Sequence, residues 1–169
     1  MRIGAKSLLF GAHQFIIHPF NVWLAWYWLY GKPPTFKETV CVIVHDWGYI
    51  ACSDMDDQDG SRHPILGARI AGFLFGQKYR DLCLFHSRHY SKQAGASPSK
   101  LCWADKTSLL FESAPFYLWR ARLTGELKEY RIVSELNYGV STAESDKTWL
   151  DSIKIANLKT SIENTRRSE

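Results

Sequence analysis

Apolar residues recur along this chain at helical spacing, and residues that start or stop helices stand where the pattern breaks. Pro19 suits the first turn of an apolar helix running to Tyr30, with Gly31 as its stop. Thr35-x-x-Glu38 forms a capping box for a helix predicted to continue through VCVIVHDWGY. Pro64 and Gly76 bracket PILGARIAGFLF, and a further helix covers Lys78 to His89. Ser97 is placed to cap SPSKLCWADKTSLLF with Pro98 at its first position, and Pro115 opens a helix ending near Gly125. Ser141-x-x-Glu144 is placed to cap the last helix, which carries Trp149, Ile153 and Ala156 on one side. The run Val40 to Val44 would suit a short strand, but the helical phase continues into His45 and Asp46 and favours helix. Cys52–Arg62 and Ser91–Ser97 read as loops, and the residues after Ile162 as a disordered tail. The expected fold class is all-α: a helical bundle over 1–130, a helical extension over 131–162 and a tail at 163–169.

Composition narrows the class. A length of 169 residues suits one domain, and 46 % hydrophobic with 22 % charged residues is the balance of a soluble globular protein. The net charge of +4 is compatible with a small anionic substrate but falls short of the footprint of a stable nucleic-acid binder. Seven tryptophans imply large buried surfaces, and the aromatic helix FNVWLAWYWLY suggests a homo-oligomer interface. Packing is favoured over stacking on a nucleobase for Trp23 and Trp26. The segment from Ile16 to Tyr30 is shorter than a membrane span and contains His18, Pro19 and Asn21, so no membrane association is expected. Cys41, Cys52, Cys83 and Cys102 form no C-x-x-C pair, and no secretory leader is evident; both point to the cytoplasm.

The chemistry lies in six positions: His18, the adjacent pair His45-Asp46, His63, His86 and Asp105. They stand on or beside the ends of several predicted helices. Imidazoles and carboxylates together suit Zn, Mn, Fe or Co, and Mg less well. Asp105 is the most telling, because a carboxylate buried unpaired on the apolar helix LCWADKTSLL would cost several kcal/mol. Gly48 offers the backbone freedom to aim both His45 and Asp46 inward. His13 and His89 read as structural or supporting residues.

This order, H…HD…H…H…D, resembles the HD-domain superfamily of metal-dependent phosphohydrolases. VIVHDWGY, HPILGARIA and ADKTS each look like the family's text around these residues, and the likeness spans residues 10 to 125. The resemblance implies that His18, His45, Asp46 and Asp105 hold a core metal, with His63 and His86 completing a second site around Asp46. It implies one or two divalent transition metals per chain and hydrolysis of a phosphate ester or anhydride of a small molecule, a nucleotide being favoured, by metal-activated water. Asp46, Arg88 and Lys106 are then the candidate catalytic residues, and Arg62, Arg88 and Lys92 the candidate phosphate contacts. Asp54, Asp56, Asp57 and Asp59 form an acidic loop; Asp54 and Asp59 are candidates for a proton shuttle, and an exposed loop without a role is favoured. Tyr49 stands where some relatives place a catalytic Glu, and it cannot act as that base. The same ligand set also serves di-iron oxygenases, and a non-catalytic nucleotide-binding module is a further alternative.

Overall fold

The computed structural model describes residues 3–52 and 60–166, and among them it is all-α, with ten α-helices, three short 3-10 helices and no strand. The run at Val40 to Val44 is helical, as its phase requires.

The first core is built from α2 (Ile17–Tyr30), α3 (Phe36–Val44), α4 (Pro64–Phe75), α5 (Gln77–Leu84) and α7 (Lys100–Ser108). Val22, Trp26, Cys41, Val42, Ala68, Ala71, Cys83, Leu101 and Ala104 interlock there. All four cysteines are buried and free, which makes them small core residues. Thr35 completes its capping box: the Thr35 backbone N–H donates to Glu38 at 2.8 Å, and the Glu38 N–H donates to the Thr35 hydroxyl. Gly31 ends α2 in the left-handed conformation, as a helix stop should. The aromatic helix buries one face and leaves Phe20, Tyr27 and Trp28 exposed, while Trp26 is packed in the core.

Several predicted boundaries shift. The helix entered at Thr35 stops at Val44, and Trp47–Ala51 is a 3-10 turn, because the chain bends at His45 and Asp46. The single helix expected over Lys78 to His89 is two, α5 and α6 (Arg88–Gln93), so α6 occupies part of the expected Ser91–Ser97 loop. Ser99, not Ser97, caps α7, by accepting from the Cys102 N–H, and Pro98 lies outside the helix. The last helix, α10 (Asp146–Arg166), starts beyond Ser141, with the Thr148 N–H donating to Ser145 Oγ at 3.2 Å. It also continues past Ile162. The rest of the expected tail, and Asp54, Asp56, Asp57 and Asp59 of the acidic loop, lie outside the described residues.

Two helices were not set out individually in the sequence reading: α1 (Ile3–Phe10), and α9 (Glu126–Tyr138), which begins before the helical extension expected from 131. With α8 (Ala114–Thr124) and α10, α9 forms a second core of Tyr117, Leu118, Ala121, Leu127, Trp149, Leu150 and Ile153. It lies against the first core: α10 packs on α7, and Lys154 Nζ donates to the Glu112 carbonyl at 2.8 Å. No described helix is long and apolar enough to cross a membrane.

Candidate metal centre

The six chemistry-bearing residues converge where α2, the end of α3, the start of α4, the α5–α6 break and α7 meet. His18 enters from the first turn of α2 and Asp105 from α7. His45 closes α3, with Asp46 in the bend after it. His63 precedes Pro64 at the start of α4, and His86 lies in the break between α5 and α6.

That convergence requires close backbone approach at two glycines. A Cβ on Gly67 would lie 2.5 Å from the Val44 carbonyl oxygen and 2.9 Å from His45 Cα, so only glycine lets α4 reach the end of α3. A Cβ on Gly48 would lie 2.1 Å from the His63 carbonyl oxygen. Gly48 is not among the positive-φ glycines, so its contribution is this close approach and not the backbone freedom expected of it.

Asp46 divides the cluster into two halves. Its Oδ2 lies 3.2 Å from His18 Nε2 and 3.3 Å from His45 Nε2, and Asp105 Oδ1 stands 3.1 Å from His18 Nε2. Its Oδ1 faces the other way, 3.6 Å from His63 Nε2 and 3.5 Å from His86 Nε2. The structure thus offers two groups that could each hold an ion, His18–His45–Asp46–Asp105 and Asp46–His63–His86, with one carboxylate common to both.

The donor set fits cations. His45 Nδ1 points at the Val42 carbonyl at 2.7 Å, His63 Nδ1 at the Gly60 carbonyl at 2.7 Å, and His86 Nδ1 at the Cys83 carbonyl. A carbonyl only accepts, so each Nδ1 carries a proton and each ring turns its Nε2 inward. Yet His63 Nε2 and His86 Nε2 face each other at 3.0 Å, and His18 Nε2 and His45 Nε2 at 3.3 Å. Facing lone pairs repel unless a proton or a metal ion lies among them.

Electrostatics agree. Burial disfavours charge on Asp46 and Asp105, but the surrounding histidines outweigh it and hold both carboxyls well below the usual range. Burial also opposes protonation of His18, yet hydrogen bonds to Asp105 and Asp46 raise its pKa to about 10. His63 goes the other way: burial, then the nearby His86 charge, lower it to about 3.

The neighbours are equally specific. Tyr49 stacks on His63 with ring centroids 4.1 Å apart, and so braces that imidazole. His13 stands with Nε2 4.0 Å from Asp46 Oδ2, and its Nδ1 lies 3.7 Å from the buried Glu126 carboxylate. Sequence reasoning placed His13 in a supporting role and missed Glu126, which carries no motif. A cavity of about 280 Å³ opens on His18 and Asp105 and is also lined by His13, Arg88 and Lys106. Arg62 and Lys92 are exposed and do not line it, and exposed His89 only meets the Tyr90 ring. Trp23 and Trp26 do not line it either. No family model matches the chain, and neither does any curated protein or solved structure.

Proposed function

We propose that this chain is an HD-type metal-dependent phosphohydrolase that cleaves a phosphate ester or anhydride of a small molecule, in the nucleotide class. The observation that carries this reading is the Asp46 carboxylate, which turns one oxygen to each of two adjoining ligand groups. In such a centre, His18, His45, Asp46 and Asp105 would hold one ion, and Asp46, His63 and His86 a second. Mn, Fe, Co or Zn fits this nitrogen and oxygen set better than Mg. Bound ions of this kind supply Lewis acidity and make water a better nucleophile at neutral pH.

The chain's own residues do the rest. Arg88 and Lys106 line the cavity beside His18 and Asp105 and neutralise phosphoryl charge, Arg88 through its planar fork. The backbone carbonyls behind His45, His63 and His86 lock each ring with Nε2 inward, so the centre is preorganised. Arg62 and Lys92 do not line this cavity, so Arg88 and Lys106 are the stronger candidates for phosphoryl contacts.

Metal analysis of the purified protein, followed by phosphate release from a nucleotide panel with Mn²⁺, Co²⁺, Fe²⁺ and Mg²⁺, tests the proposal. Asp46→Ala should lose both ions and all activity, because it removes the only donor common to the two groups. Full metal content in Asp46→Ala would sink the assignment. Substrate-dependent oxygen consumption without phosphate release would move the chain to the oxygenases that can share this ligand set.

A further inference from the structure

The cavity at the metal centre continues beyond it. Most of its remaining walls come from the C-terminal helices: Tyr117 of α8, Tyr130, Val133 and Tyr138 of α9, and Trp149 and Ile153 of α10. These helices lie largely outside the six-residue constellation, and nothing in the sequence pattern assigned them a role in the site.

The chamber is lined mainly by rings and aliphatic groups, and several of their polar atoms already have partners. Trp149 Nε1 donates to Ser134 Oγ at 2.6 Å, and that hydroxyl donates to the Arg131 carbonyl at 2.9 Å. Tyr138 donates to Asn157 Oδ1 at 3.0 Å. Burial, reinforced by the Glu126 charge, keeps the Tyr117 and Tyr130 hydroxyls protonated. The two cations of the lining both follow a metal-centre residue in the chain: Lys106 adjoins Asp105, and Arg88 comes two residues after His86. An anionic group lodged among the C-terminal walls would therefore be desolvated with no Arg or Lys of those helices in the lining to neutralise it. One phosphoryl group can be neutralised here, at the metal end. The volume sets a further limit, since about 280 Å³ is small for a ligand site.

We propose that α8, α9 and α10 form the specificity chamber for the substrate's organic half, and that this half is one uncharged, ring-bearing group no larger than a nucleoside. The substrate is then a phosphomonoester, and not a nucleoside triphosphate or a dinucleoside polyphosphate. This narrows the phosphohydrolase reading and rests on it. In the reaction, the oxygen of water bonds to phosphorus and the ester P–O bond breaks. A proton ends on the released alcohol, and the other product is inorganic phosphate.

The experiment uses the full chain loaded with Mn²⁺. Phosphate release is measured from phenyl phosphate, AMP, ATP and diadenosine tetraphosphate, and calorimetry compares the non-hydrolysable benzylphosphonate with methylphosphonate. The two monoesters should be the best substrates. Benzylphosphonate should bind about tenfold tighter than methylphosphonate or more, the scale expected for burying a ring. Val133→Trp, which fills the chamber, should bring the two phosphonates to similar affinity. The two phosphonates on the unsubstituted protein decide the matter even where Val133→Trp folds poorly. Preference for ATP or the dinucleotide, or equal binding of both phosphonates to the unsubstituted protein, overturns the proposal. Ring-dependent binding with no phosphate released from any compound overturns the phosphohydrolase reading alone.

Discussion

His18 must give up a proton before it can serve as a metal ligand. Its carboxylate neighbours hold its pKa near 10 in the metal-free protein, so at neutral pH a metal ion competes with a proton for that nitrogen. His63, lowered to about 3, is already neutral and presents no such competition. The two halves of the centre should therefore load with different pH dependence. Filling the His18 half releases the His18 proton, together with any held by His45, whose pKa the Asp46 and Asp105 carboxylates also raise against burial, so its apparent affinity rises with pH across the neutral range. Calorimetric titration of Mn²⁺ into metal-free protein, in buffers of different ionisation enthalpy between pH 6 and 8, reads that proton directly. Heat independent of the buffer would show that His18 is not a ligand. At this scale the sequence was informative because metal chemistry restricts residue types, so six positions stood out in order. Glu126 did not stand out, because a buried carboxylate satisfied by hydroxyls has no spacing rule. Arg62 and Lys92 were proposed from nearness in sequence alone, and both are exposed and outside the lining of this cavity.

Helices α5, α6 and α7 show how elements place ligands by ending. One unbroken helix over Lys78 to His89 would carry His86 on a regular face. The break after Leu84 instead turns its Nδ1 back onto the Cys83 carbonyl and its Nε2 toward Asp46. Apolar periodicity reads through such a break, because YRDLCLFHSRHY keeps its pattern while the backbone changes course. Ser97 and Ser99 pose the same problem at the start of α7. Both are good caps in sequence, and Pro98 at a first helical position favoured Ser97. In the structure Ser97 is exposed, while Ser99 accepts from the Cys102 N–H and donates to the Leu82 carbonyl at 2.8 Å, tying α7 to α5. Ser99→Ala should cost about 1–2 kcal/mol in denaturant unfolding, the range for a lost cap. Ser97→Ala should lie within about 0.5 kcal/mol of the parent, as for an exposed substitution. Equal effects would place the helix start where the sequence alone suggested.

At the scale of the whole molecule, one buried carboxylate ties α1 and the chain after it to the second core, beside the metal centre. Glu126, fully buried, accepts from Ser7 of α1, Thr124 at the end of α8, Tyr130 of α9 and the backbone N–H of Ala12, and it lies behind His13. The helix it begins was invisible in sequence for a physical reason. Gly125 serves at once as the C-cap of α8 and the N-cap of α9, so no Ser, Thr, Asp or Asn announces the second helix. Burial disfavours the charge on Glu126, but the hydrogen bonds and charge around it prevail and lower its pKa from 4.5 to about 2. A carboxyl depressed on folding stabilises the protein above its unfolded pKa, and that stabilisation disappears as pH falls through the folded value. Glu126→Gln keeps the shape but sets an amide N–H₂ among groups that donate, so it should cost about 2 kcal/mol at pH 7. The difference from the parent should shrink as pH falls from 4.5 toward 2, because the parent's own carboxyl becomes protonated over that range. Urea unfolding of both metal-free proteins at pH 7 and pH 3 measures this while keeping metal loss out of the comparison. Asp46 and Asp105 are depressed in both proteins, so their acid loss cancels in the difference. A gap equally wide at both pH values would mean that Glu126 ties α1 to the second core by its shape and not by its charge.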